Sequence, residues 1–176
     1  MKNCIPQVET PERATTPVRL LKLDPLKCDG CRECEVACSV RRSGLNDPAL
    51  SSIRVASNNK IEGFHFPVVC LQCSDPPCMV VCPVEAICRD EHSRVMIRSA
   101  HCIGCGMCVA ACPFGAMGFD DTLGRAFKCD LCGGEPECVR RCDRSALRFV
   151  EASEMAASFA QSAALKYSKA ALGGIS

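Results

Sequence analysis

Residues 102–113 read CIGCGMCVAACP. Three cysteines at two-residue gaps, a fourth after three more residues and then proline give the C-x2-C-x2-C-x3-C-P spacing of thiolates around a [4Fe–4S] cubane. Cys102, Cys105 and Cys108 suit a loop curled over one face of such a cluster. Gly104 and Gly106 let backbone N–H groups approach its sulfurs. Cys112 falls one helical turn beyond Cys108, so its thiol faces a neighbouring cluster. One such stretch implies at least two clusters.

Outward from it, the spacing recurs. Motif I is CDGCRECEVAC, with Cys28, Cys31, Cys34 and Cys38, and Ser39 where proline would stand. Motif II, CLQCSDPPCMVVCP, holds Cys70, Cys73, Cys78 and Cys82, with two extra residues before its third cysteine. The opening stretch is motif III. Motif IV, CDLCGGEPECVRRC, holds Cys129, Cys132, Cys138 and Cys142, with five residues before the third. Sixteen thiols in four repeats match four cubanes. Cys4 and Cys88 fit no ligand spacing. Cys4 is read as an unliganded thiol and Cys88 as a free thiol packed as a small hydrophobe. The compact link from Cys82 to Cys102, with Cys-Pro closing both motifs at Cys82-Pro83 and Cys112-Pro113, makes motifs II and III read as one two-cluster unit. Motifs I and IV then form a second lobe around it.

Eighteen cysteines among 176 residues point to a disulfide scaffold or to metal centres. The first thirty residues contain no apolar stretch typical of an export signal and no opening twin arginine, and no run approaches the length of a membrane span. The expectation is a cytoplasmic protein with metal-bound thiolates. Its formal charge is +1. Four oxidised cubanes at about −2 each would take the holo-protein to roughly −7, leaving no basic excess for nucleic acid.

Residues 1–17 lack periodicity and read as a flexible arm. Residues 18–150 carry the motifs. Strands are expected at Val18–Leu23, Ile53–Val55, Gly63–Val69, Ala86–Cys88, Val95–Ile97, Ala116–Phe119, Ala126–Lys128 and Ala146–Val150, with a turn at Ser57-Asn58-Asn59. His65, between two phenylalanines, reads as structural. Residues 151–176 read as an amphipathic helix ended by Gly173-Gly174. Its stripe of Met155, Phe159, Ala163 and Tyr167 is for packing, for docking on a partner, or for head-to-tail self-association. Arg140, Arg141, Arg144 and Arg148 are either counter-charges or a docking face.

The four motifs in this order resemble the four-cluster iron–sulfur subunits of molybdenum and tungsten oxidoreductases, the electron-transfer subunits of DMSO reductase, polysulfide reductase and formate dehydrogenase among them. In its compactness the chain is most similar to the small iron–sulfur subunit of cytoplasmic tungsten-dependent aldehyde oxidoreductases. The resemblance covers about residues 18–150. It implies an α+β fold of two nested bacterial-ferredoxin-like (βαββαβ) lobes with a C-terminal helix. It also implies that the fourth cysteine of each motif serves the other cluster of its lobe. Cys28, Cys31, Cys34 and Cys142 would hold cluster 1, and Cys129, Cys132, Cys138 and Cys38 cluster 2. Cys70, Cys73, Cys78 and Cys112 would hold cluster 3, and Cys102, Cys105, Cys108 and Cys82 cluster 4. The implied function is non-catalytic relay of single electrons between a molybdenum or tungsten catalytic subunit and a second redox partner, such as a flavin NAD(H)-linked subunit or a ferredoxin. A subunit of a CO dehydrogenase, hydrogenase or formate dehydrogenase complex is the alternative within this class.

Two other classes fit less well. Zinc modules use C-x2-C pairs, but motifs I and III each place three cysteines within seven residues. An enzyme in its own right would need a site that no dinucleotide, radical-SAM or Ser/His/Asp pattern supplies, and His65, His92 and His101 are scattered.

Overall fold

Each cysteine motif produces the same local event. Two residues after its first cysteine the backbone turns left-handed, at Gly30, Gln72, Gly104 and Leu131, with φ of 76°, 53°, 72° and 57°. Glycine takes this turn freely, whereas a side chain costs roughly 1–2 kcal/mol there. Tertiary burial holds the two exceptions, Gln72 at 8% and Leu131 at 1% exposure. The third cysteine then lies second in a helix in all four motifs. These are Cys34 in α1 (Glu33–Ser43), Cys78 in α2 (Pro77–Val80), Cys108 in α3 (Met107–Ala111) and Cys138 in α4 (Glu137–Arg140). Motifs II and IV keep this placement despite longer gaps because Pro76 and Pro136 stand at the N-caps, where a fixed φ starts the helix at the required residue.

The chain after the fourth cysteine sets motif I apart. Glu85, Gly115 and Ser145 each turn left-handed three residues beyond Cys82, Cys112 and Cys142. Their N–H groups donate back to those cysteine carbonyls at 3.2, 3.2 and 3.0 Å, reversing the chain into a strand. After Cys38 there is no such reversal, and α1 runs on through Ser39 to Ser43. It ends at left-handed Gly44, whose N–H donates to the Val40 carbonyl at 2.8 Å.

The computed structural model describes residues 17–57 and 60–172. Cys4, most of the expected arm, Asn58-Asn59 and Gly173-Gly174 lie outside these. Strand β1 (Arg19–Leu23) pairs antiparallel with β8 (Leu147–Glu151), Leu21 opposite Phe149. β2 (Ile53–Ser57) pairs with β3 (His65–Val69), β4 (Ile87–Arg89) with β5 (Val95–Ile97), and β6 (Met117–Asp120) with β7 (Arg125–Lys128). The expected strands are therefore present, in an α+β fold of short sheets with a C-terminal helix. They form four two-stranded ribbons among the described residues, where the resemblance implied βαββαβ units. Hairpin neighbours pair with each other, and only β1 and β8 join distant parts of the chain.

Such ribbons are marginal alone. They are held on two apolar cores. The first gathers Leu21, Ile53, Val55, Val69, Leu131 and Leu147 around Cys34 and Cys138, with Cys28, Cys38, Cys129 and Cys142 packed against it. The second gathers Ile87, Val95, Met117 and Ala126 around Cys78 and Cys108, with Cys82, Cys102 and Cys112 packed against it. Arg42 of α1 reaches from the first toward the second. Its guanidinium lies 3.6 Å from the Phe127 ring centroid and 3.5 Å from the Asp120 carboxylate, and Nε donates to the Leu50 carbonyl at 2.9 Å.

Helix α5 (Ala152–Leu172) starts on the edge of the β1–β8 ribbon, where the Ala152 N–H donates to the Val18 carbonyl. Met155 is half-buried, but Phe159 and Tyr167 are 65% and 77% exposed, so most of the expected stripe faces solvent. Among the described residues no helix is long and apolar enough to cross a membrane.

A Cβ at Gly104 would collide with the Gly124 carbonyl, whereas at Gly115, also left-handed, it meets nothing within 4 Å. Gly115→Ala is expected to cost only the conformational penalty of about 1 kcal/mol. Gly104→Ala is expected to lower the thermal transition of the cluster-loaded protein much further. Equal shifts in the two variants would contradict this account of the loop.

Candidate cluster sites

Three cavities are lined by cysteines from two motifs each. Cys28, Cys31, Cys34 and Cys142 line the first, about 950 Å³ of empty space including its open mouth, together with Asp29, Arg32, Glu33, Arg141, Asp143 and Arg144. Cys70, Cys73, Cys78 and Cys112 line a second of about 380 Å³ with Lys128 and apolar residues. Cys82, Cys102, Cys105 and Cys108 line a third of about 340 Å³ whose other walls are apolar or glycine. What marks all three as candidate cluster sites is the convergence of four thiols on each. Of the remaining four motif cysteines, Cys138 interacts electrostatically with the other three, Cys129, Cys38 and Cys132, and also with Cys34 of the first cavity.

The sulfurs are dressed as ligand sulfurs are. Backbone N–H groups donate to thiol sulfur from Ser52 to Cys38 (3.3 Å), Gln72 to Cys70 (3.5 Å), Ala86 to Cys82 (3.2 Å) and Leu131 to Cys129 (3.4 Å). Such bonds stabilise negative charge on sulfur. Burial opposes that charge in the bare protein. It pushes the Cys129 thiol up to about 12 despite the Leu131 amide and the Lys128 charge. Burial, with Glu35 adding to it, pushes Cys34 to about 12, and burial takes Cys108 to about 11. Cys138 is raised further, by burial first. These pockets disfavour isolated thiolates and suit thiolates whose charge is spread over iron. Among the described residues, no three thiol, imidazole or carboxylate groups converge closely enough to hold a single metal ion.

Thiols of successive groups interact electrostatically, which orders the groups with those of Cys129 and Cys70 inside. Cys34 of the first reaches Cys138 of the second, Cys129 of the second reaches Cys70 of the third, and Cys78 of the third reaches Cys108 of the fourth.

Several positioning residues escaped the sequence reading because spacing does not mark them. Gln72 accepts from the Val95 N–H at 2.8 Å and donates through Nε2 to the Cys129 carbonyl at 2.9 Å, joining motif II to motif IV. Arg89 donates to the Cys73 and Ser74 carbonyls, both at 2.7 Å, and so fixes the motif II loop. Buried Glu35 accepts from the Val55 N–H at 2.5 Å, tying α1 to the β2–β3 hairpin. His65 bonds Ser57 Oγ at 2.9 Å, and its ring lies where a Cβ at Gly30 would come within 2.6 Å. It props the motif I loop.

The arginines near motif IV are mostly spent on neighbours. Arg140 pairs with Glu137 (2.9 Å), Arg144 with Asp29 (3.0 Å) and Arg148 with Glu154 (3.0 Å), while Arg141 lines the first cavity. Exposed pairs of this kind contribute little stability. Cys88 is buried in β4 opposite Met96 and is not among the residues lining the three cavities. Its sulfur is disulfide-bonded, a correction to the free thiol expected from spacing. Ligand spacing carries no information on which other thiol folds within bonding reach.

The family model described as a 4Fe-4S dicluster domain matches residues 61–152. The chain belongs to that family. It is 41% identical over 146 residues to the putative electron transport protein YsaA of Escherichia coli K12, covering 78% of this chain and 92% of that one. It is 42% identical over 121 residues to the polyferredoxin-like subunit of the aliphatic sulfonate oxidoreductase of Pyrococcus furiosus, covering 68% and 69%. It is 33% identical over 154 residues to the iron–sulfur subunit of E. coli formate dehydrogenase-O, covering 72% of this chain and 51% of that one. The dicluster family and these relatives make the chain an iron–sulfur protein of electron transport.

Cys105→Ala is expected to cost about a quarter of the bound iron, whereas Cys88→Ala keeps all of it. Equal iron loss in the two variants would refute the division between ligand and non-ligand thiols.

Proposed function

We propose that this chain is a non-catalytic electron-transfer subunit that relays single electrons through four [4Fe–4S] clusters. The ligand sets are Cys28, Cys31, Cys34 and Cys142; Cys129, Cys132, Cys138 and Cys38; Cys70, Cys73, Cys78 and Cys112; and Cys102, Cys105, Cys108 and Cys82. Motifs I and IV then build one lobe and motifs II and III the other, nested between them in sequence. The observation that carries this reading is that three of these groups of four thiols each line one cavity, while Cys138 of the remaining group interacts with its other three. Bound there, the clusters supply one-electron chemistry. The chain supplies the thiolates, the amide donors to sulfur and the apolar walls that exclude water.

The partner in this proposal is a molybdenum or tungsten catalytic subunit, in the cytoplasm, of the aldehyde oxidoreductase type. The four complete cluster motifs support this reading. Residues 18–150 would be the relay and α5, with Phe159, Leu165 and Tyr167 exposed, the arm that docks on the catalytic subunit.

Anaerobically purified protein is expected to contain about sixteen iron and sixteen acid-labile sulfide per chain. Stepwise reduction should give magnetically interacting S = 1/2 signals in EPR. Zinc without sulfide would replace the relay with a structural module. Substrate turnover by the isolated chain would contradict its non-catalytic role.

A further inference from the structure

Lys128 is buried, 7% exposed, at the end of β7 and immediately before the first cysteine of motif IV. Its ammonium donates to the Val95 carbonyl and, at 2.8 Å, to the Cys129 carbonyl. Both recorded acceptors are uncharged backbone groups, so these bonds hold the cation in place without neutralising it. The Cys129 carbonyl also accepts from Gln72 Nε2, and the Val95 N–H donates to Gln72 Oε1. Lys128 and Gln72 thereby bind the same two peptide units from both sides, which leaves the ammonium little freedom to swing out to solvent.

The position of this charge is selective. Lys128 lines the cavity of Cys70, Cys73, Cys78 and Cys112, and its own carbonyl is bonded in sequence to Cys129 of the adjacent set. The cavity of Cys82, Cys102, Cys105 and Cys108 has no charged wall, and that of Cys28, Cys31, Cys34 and Cys142 holds acids and arginines together. Of the four sites, the two inner ones therefore share a fixed, buried cation.

Reduction of a cubane adds one electron and one unit of negative charge. A nearby cation in low dielectric stabilises that added charge and raises the reduction potential. We infer that Lys128 is a tuning residue that raises the reduction potentials of the two inner clusters relative to the two outer ones. The inner pair then accepts an electron from whichever outer cluster the donor has reduced, and the reductant is the donor of the proposed relay. The inference rests on the four-cluster reading.

The test is an EPR-monitored redox titration of the full cluster-loaded chain and its Lys128→Gln, Lys128→Met and Lys128→Arg variants. Glutamine keeps an N–H donor without charge, and arginine keeps the charge. In Lys128→Gln, two of the four couples are expected to fall by about tenfold in reduction equilibrium constant, about 59 mV for one electron. The other two stay in place, Lys128→Met matches Lys128→Gln, and Lys128→Arg matches the wild type. Four unmoved couples, or four that move together, overturn the inference. So does loss of clusters from both uncharged variants, which would make Lys128 a structural prop. Failure of the underlying reading is separable, because wild-type protein would then lack sixteen iron and sulfide before any titration.

Discussion

Thiolates cannot stand buried and unpaired. The third cysteine of each motif, Cys34, Cys78, Cys108 and Cys138, is buried at the second position of a helix, and burial raises all four thiols. Without a group that takes up their charge, these positions are costly for anything but neutral thiols. With it, they become the points on which two small cores are built. The apolar cores consist of short strands and of the cysteines themselves, and there is no tryptophan and a single tyrosine in the chain to enlarge them. Cofactor and fold are one energetic problem in such a protein, since cluster binding supplies folding free energy that the side chains do not.

The same constraint explains the loops. A cysteine loop must wrap a compact group while sending amides toward sulfur, and the left-handed turn two residues after the first cysteine does this in all four motifs. Two motifs use glycine for it. The other two use Gln72 and Leu131, and both carry a second duty that glycine could not perform. Gln72 links motif II to motif IV through the Cys129 carbonyl and also holds the Val95 amide, and Leu131 fills the first core while its N–H donates to the Cys129 sulfur. Local strain of roughly 1–2 kcal/mol is offset by burial at those positions.

Much of this was legible in the sequence. The cysteine spacing picked out every cysteine that lines the three cavities, and the strand patterns placed all eight described strands to within about two residues. What remained hidden is of one physical kind. Sheet pairing, the disulfide at Cys88 and the roles of Lys128, Gln72, Glu35 and Arg42 depend on contacts between residues far apart in sequence, which periodicity does not record. Lys128 looks like an ordinary strand-end lysine before the fold places it between two sets of thiols. Ser39 was a visible departure from the Cys-Pro pattern, but Asp143 departs in the same way and its chain still reverses at Ser145, so the continuation of α1 to Ser43 could not be read from the missing proline.

The central claim is a single-file arrangement of four iron clusters, the outer two on motifs I and III and the inner two meeting at Cys129 and Cys70. Diffraction data collected at the iron edge from crystals of anaerobically prepared protein test it directly. The account predicts four separate anomalous peaks in one row, each within bonding distance of its four cysteines. Fewer than four peaks, a branched arrangement, or a peak at the zinc edge in place of iron would contradict it.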